Sequence, residues 1–285
     1  MSGPAQRAPV TTSGASHAST DEGLALARRI KRQANGLLGA GVYHSLMELA
    51  RLAKPRTIVE IGTAHGAATI ALALGARAGG CPCHIYTVDP FAGFSSRVKY
   101  GTVTDNLRIV REAFSHFGVS DCITVVVGTS ADVFAHLPAH ALDLVVIDAD
   151  GRIDRDLAVL FDRMSEGANI VIDDVDGTTC LTRFRDRLYC DQKHRLTRLV
   201  VDRLLASGHL QGERVEESTG FYAKGSGTAA TIEALALPAY RELVFTDVDD
   251  IATPKLQKGC GPWLQRRFAA ARSVYRRLKA GGSRA

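Results

Sequence analysis

Five short apolar runs, each ending at a glycine or an aspartate, constrain the fold of this chain more than any other feature. They are Thr57–Ile61, then residues 84–88, 123–127, 142–147 and 169–172. Each is rich in Val and Ile and too short for a buried helix, which suits strands covered on both faces. Helical patterns lie between them. In residues 43–53, Leu46, Leu49, Ala50 and Ala53 recur at helical spacing. Residues 67–74 are small and apolar, and residues 104–117 carry Leu107, Val110, Phe114 and Phe117 along one side. A further helix is expected over 157–164. This alternation predicts an α/β fold with a doubly wound, mostly parallel sheet. Residues 213–217 and 220–223 read as two more strands around a turn, an antiparallel pair that completes seven.

The flanks differ in character. Residues 1–20 are rich in Ser, Thr, Ala and Gly without an apolar core, and are expected to form a disordered arm. The domain proper is assigned to 21–226, with Gly225-Ser226-Gly227 at its end. Within it, residues 180–206 are expected to form a long basic helical region. Residues 227–285 form a basic, partly helical C-terminal extension. Its last helix carries Leu264, Phe268, Ala271, Tyr275 and Leu278 among arginines. Packing on its own domain or a second copy accounts for that stripe, and contact with an anionic membrane surface is the alternative.

Composition removes several classes. No apolar stretch approaches the length that spans a bilayer. Net charge is +5, but aromatics are only 6%, and the basic residues lack the aromatic interleaving of a nucleic-acid groove. Six scattered cysteines without an export signal imply free thiols in a reducing, cytoplasmic compartment. Cys81-Pro82-Cys83 lacks the second pair a zinc site requires.

The strand ends carry the chemistry. In open α/β sheets, ligands bind at the carboxyl edge. Glu60-Ile61-Gly62-Thr63-Ala64-His65-Gly66 places a glycine turn behind an acid, with wider spacing than a dinucleotide fingerprint. Asp89 ends the next strand, where a carboxylate can accept both hydroxyls of a ribose. Thr129-Ser130 follows the third strand, within reach of a base. Asp148-Ala149-Asp150 and Asp173-Asp174 end the fourth and fifth. Asp148 and Asp174 could simply cap helices. Three carboxylates gathered at one edge nevertheless favour a cation, and oxygen-only ligation suits Mg²⁺.

This ordered series resembles the class I S-adenosylmethionine-dependent methyltransferases, over roughly residues 41–225. The resemblance implies a Rossmann-like methyltransferase fold. It also implies that Glu60, Gly62, Thr63 and Gly66 line the methionine side, that Asp89 binds the ribose, and that Ser130 lies near the adenine. Val42-Tyr43-His44-Ser45 matches a stretch that closes over the methionine carboxylate, and Asp148 also faces the cofactor. Among members, the acidic pairs are similar to the metal-dependent, sugar-modifying O-methyltransferases. That likeness implies Asp148, Asp173 and Asp174 as ligands of Mg²⁺, with Asp150 as the general base that deprotonates an acceptor hydroxyl. The lysine base of the catechol branch has no counterpart after Asp150, where Gly151-Arg152 follows. His44 and His65 are alternative bases.

The activity implied is methyl transfer to a hydroxyl of a small molecule, a sugar or polyhydroxylated natural product. Alternatives are a metal-independent methyltransferase with another small acceptor and a non-catalytic cofactor-binding protein. No nucleic-acid partner is expected, and a homo-oligomer is compatible with the extension.

Overall fold

The computed structural model describes residues 17–92, 102–137, 142–184, 187–244 and 255–256. Its helices are α1 (His17–Gln33), α2 (Ala40–Ala53), α3 (Ala67–Ala78), α4 (Val103–His116), the single turn α5 (Ser130–Val133), α6 (Ile153–Leu160), α7 (Lys193–Ala206) and α8 (Ala229–Val244). Its strands are β1 (Thr57–Ile61), β2 (His84–Asp89), β3 (Ile123–Val127), β4 (Leu142–Ile147), β5 (Met164–Ile172), β6 (Cys180–Phe184), β7 (Arg187–Asp191), β8 (Leu210–Glu216), β9 (Thr219–Lys224) and β10 (Lys255–Leu256).

Seven strands form the main sheet in the order β3-β2-β1-β4-β5-β9-β8. The first five are mutually parallel, and β9 and β8 are antiparallel additions. All five residues of β1 are buried, as expected for a strand covered on both faces. Side chains alternate between two apolar layers, because successive residues of a strand point to opposite faces. Ile58, Leu144, Val146 and Val171 join the layer under α1, α2, α3 and α4. Val59, Val145, Ile147, Ile170 and Ile172 join the layer under α6, α7 and α8.

The order reverses between β1 and β4, the one crevice an open sheet of this kind leaves for a ligand. The ladders there run one residue past the strands. Gly62 N–H donates to Val88 O at 2.8 Å, Asp148 N–H to Ile61 O at 2.8 Å, and Asp173 N–H to Ile147 O at 3.0 Å. The glycine and both acidic ends are therefore fixed by the sheet itself.

Four expectations need correction. Residues 180–206 are not one helical region: β6 and β7 form a hairpin and only α7 is helical. Thr182, Phe184 and Tyr189 are residue types that favour strands, and the many arginines hid this. The helix expected over 157–164 starts earlier, at Ile153, and ends at Leu160, and Met164 already opens β5. Four residues given to the N-terminal arm begin α1. The domain also continues past 226, since Ile232, Ala236 and Ala239 of α8 are fully buried in the core beside α6 and α7. The basic helix expected near the C-terminus lies outside the described residues.

Candidate active site

A cavity opens at the crevice between β1 and β4. It is lined by the loop after β1 (Gly62, Thr63, Ala64, His65), the start of α3 (Ala67, Ala68), the α1–α2 connection (from Asn35 to Leu38), Tyr43 and Asp148. Gly62 has φ of +101°, and a Cβ there would lie 1.8 Å from the Asp148 carbonyl oxygen. Only glycine lets the two strand ends approach this closely. Gly66, at φ +83°, caps α3 against the Phe114 ring and turns the chain into the helix.

Asp89 stands at the next strand end. Its Oδ2 accepts from Ala64 N–H at 3.0 Å and its Oδ1 from Phe91 N–H at 2.6 Å. The carboxylate thus fastens the glycine loop to β2 and keeps further lone pairs for a ligand's hydroxyls.

Three residues assigned to the cofactor, Glu60, Ser130 and Val42, lie behind the cavity wall. Glu60 does not line the cavity. Its Oε2 accepts from the Thr69 hydroxyl and from Thr87 Oγ1 at 2.5 Å, while Oε1 is buried without a hydrogen-bond partner. Burial pushes its carboxyl up to about 7. Thr87 Oγ1 in turn meets Thr63 Oγ1 at 2.6 Å, so Glu60 supports the loop from beneath. Ser130 is buried and its hydroxyl donates to Asp156 Oδ1 at 2.7 Å, which directs that oxygen inward. Val42 is buried in the core of α2, and its neighbour Tyr43 is the residue that lines the cavity. Of the alternative bases, His65 lines the cavity, with burial pulling its imidazole below the usual value. His44 lies instead against Gly23 of α1.

The sheet brings Asp148, Asp173 and Asp174 together, with one oxygen from each lying within 4.8 Å of the others. Burial, then the charge of Asp173, pushes Asp148 up to about 8. Asp173 Oδ1 accepts from Thr219 Oγ1 at 2.6 Å and Ser218 Oγ at 3.2 Å. Asp174 has φ of +62°, a left-handed conformation that turns it toward α7. There Lys193 Nζ lies 2.6 Å from Asp174 Oδ2 and 3.8 Å from Asp148 Oδ1. His194 Nε2 lies 2.7 Å from Asp174 Oδ1, and its Nδ1 lies 2.7 Å from Asp176 Oδ1. Burial opposes charge on Asp174, but His194 and Lys193 hold its carboxyl well below the usual range.

This arrangement tests the expected Mg²⁺. The donor chemistry suits a hard divalent cation. The position does not, because both oxygens of Asp174 are engaged and an ammonium already faces the carboxylates. A divalent ion would have to expel Lys193.

Asp150 is two residues beyond Asp148 but leaves the cluster. Its two oxygens meet Arg155 Nη1 and Nη2, each at 3.1 Å. Partial burial raises its carboxyl, yet the Arg155 ion pair and the Arg152 N–H outweigh this and leave it below the usual value.

Residues 59–175 match a family model described as a methyltransferase domain. This segment is similar to methyltransferase domains, and the sheet has the Rossmann-like methyltransferase fold. Solved structures with the same fold include cofactor-bound Rv0187 from MTB, at 22% identity over 73% of this chain and 91% of that one, TM-score 0.51. An O-methyltransferase from Bacillus cereus in complex with SAH is 18% identical over 72% of this chain and 91% of its own, TM-score 0.50. The SAH-bound Podospora anserina methyltransferase PaMTH1 is also 18% identical, over 73% and 88%, TM-score 0.50. No curated protein matches the chain.

Sequence reasoning missed Lys193, His194 and the Ser218-Thr219 turn. Lys193 and His194 were visible only as members of a basic stretch, and no local spacing ties α7 to the ends of β4 and β5.

Proposed function

We propose that the protein transfers the methyl group of S-adenosylmethionine to a hydroxyl of a small molecule, a sugar or polyhydroxylated natural product, in the reducing cytoplasm. The observation that carries this reading is the cavity at the β1–β4 crevice, where Gly62, Thr63, Ala64 and Asp148 converge beside Asp89. Asp89 would take the ribose, and the loop N–H groups and Tyr43 the methionine end. Thr63, Gly66 and Glu60 would keep the loop in shape. The acidic cluster adjoins this cavity through Asp148, so acceptor oxygens would meet it next to the methyl donor. Positioning the hydroxyl in line with the sulfonium supplies much of the rate in such a transfer.

Asp150 remains the proposed general base. It sits at the exposed mouth of β4, where it would have to exchange Arg155 for the acceptor proton. General-base assistance of this kind is worth about 10²–10⁴-fold in rate.

The reading is tested by incubating the protein with methyl-labelled S-adenosylmethionine and a panel of sugars, glycosides, catechols and amines. Label in hydroxylated acceptors supports it. Label confined to amines contradicts the oxygen acceptor, and none across the panel favours a non-catalytic cofactor-binding protein. A second reading, assistance by a divalent metal at the three carboxylates, would require the ion to displace Lys193 from Asp174. Turnover lost in chelator and restored by Mg²⁺ would establish it.

A further inference from the structure

We propose that Lys193 is the resident cation of the acidic edge, so that its ammonium occupies the place of a divalent metal and the site works without one. The proposal deepens the methyltransferase reading above, and it stands on the placement of the lysine and the way the chain makes room for it.

Asp148, Asp173 and Asp174 would repel one another if left uncompensated at a partly dry edge. Lys193 Nζ lies 2.6 Å from Asp174 Oδ2, a charge-assisted contact, and 3.8 Å from Asp148 Oδ1. The lysine is not a stray surface side chain that happens to reach inward. It is the first residue of α7, and its own N–H donates to Asp191 Oδ1 at 3.0 Å. Asp191 thus meets the start of α7, while the side chains of Lys193 and His194 reach from that first turn to Asp174.

The turn beyond Asp150 is shaped around the lysine stem. Gly151 has φ of +86°, and a Cβ there would come within 2.9 Å of Lys193 Cγ. A side chain at 151 would push the stem away from the cluster. His194 adds a second positive partner, bridging Asp174 and Asp176. An ammonium has three donors, so the contact with Asp174 leaves others for an acceptor oxygen.

The test uses the full chain, stripped with EDTA, and Mn²⁺ as the probe, followed by loss of the free-ion electron paramagnetic resonance signal. Wild type should leave the Mn²⁺ signal undiminished at equimolar protein and should bind S-adenosylmethionine equally well with and without EDTA. Lys193→Met uncovers the carboxylates and should gain Mn²⁺ affinity by at least tenfold. Stoichiometric Mn²⁺ uptake by wild type overturns the proposal, as does a Lys193→Met protein that folds and still ignores Mn²⁺. If Lys193→Met does not fold, Lys193→Arg replaces it. Indifference to Mn²⁺ with retained cofactor affinity then supports a resident cation, whereas Mn²⁺ uptake by the arginine variant overturns it. Failure of wild type to bind S-adenosylmethionine would count against the methyltransferase reading alone, since the Mn²⁺ result is read without cofactor.

Discussion

Thr219 Oγ1 donates to Asp173 Oδ1 at 2.6 Å, which ties the first residue of antiparallel β9 to the acidic end of β5. Thr219 is buried, so its hydroxyl has no water to fall back on. Hydrogen bonds to charged groups contribute about 1.5–3 kcal/mol. Thr219→Val should lower unfolding free energy by about that amount in urea melts, while Ser218→Ala, whose bond is longer, should cost less. Equal and negligible losses would show that β9 does not hold Asp173.

Gly62 tests the crevice. Gly62→Ala forces a Cβ onto the Asp148 carbonyl at a φ of +101°. Neither strand end can yield without breaking its ladder, so cofactor binding should disappear and thermal stability should fall sharply. Gly80→Ala is the control. It has a similar left-handed φ of +66° with open space around it, and should cost only about 1 kcal/mol. If the two variants behave alike, conformational strain explains the glycine and the close approach does not.

These elements also mark what was legible in the sequence. Thr57–Ile61 and Leu142–Ile147 ended where their apolar runs ended, because a doubly covered strand must be apolar throughout, and the edge strand Ile123–Val127 kept the same bounds although only Val126 is buried. The gathering of Asp148, Asp173 and Asp174 followed from strand order alone. Side-chain direction did not. Glu60 shares its face of β1 with Ile58, so its carboxylate lies under α3, where Thr69 and Thr87 receive it. Ser130 found Asp156, and Asp150 found Arg155, partners that local sequence near the motifs did not advertise. Lys193 reaches the cluster only because α7 returns across the sheet after the β6–β7 hairpin, a path hidden by reading residues 180–206 as helix.

Glu60 predicts a pH signature. Its carboxyl is raised to about 7 by burial, from an ordinary value of 4.5. The folded state therefore holds this proton more tightly than the unfolded chain. The stabilisation is fully present below pH 4.5, fades as pH rises, and is gone above about 7. The difference amounts to roughly 3 kcal/mol at most. In Glu60→Gln, urea midpoints at pH 5 and pH 8 should differ less than in wild type. An unchanged difference would mean that Glu60 titrates normally.

Asp150→Asn should lower turnover by about 10²-fold or more if this carboxylate is the base, with cofactor affinity unaltered. Arg155→Gln should shift the pH–rate profile upward, since it removes the guanidinium that holds Asp150 below the usual range. Unchanged turnover in Asp150→Asn would leave Asp150 as a partner of Arg155 only.

In the proposed function, the β1–β4 crevice binds S-adenosylmethionine through Asp89 and the glycine loop. Calorimetric titration of S-adenosylmethionine into wild type and Asp89→Asn tests it most directly. Saturable one-to-one binding by wild type, weakened at least tenfold in the variant, is the result expected. Absence of binding by wild type, or affinity untouched by Asp89→Asn, would contradict it.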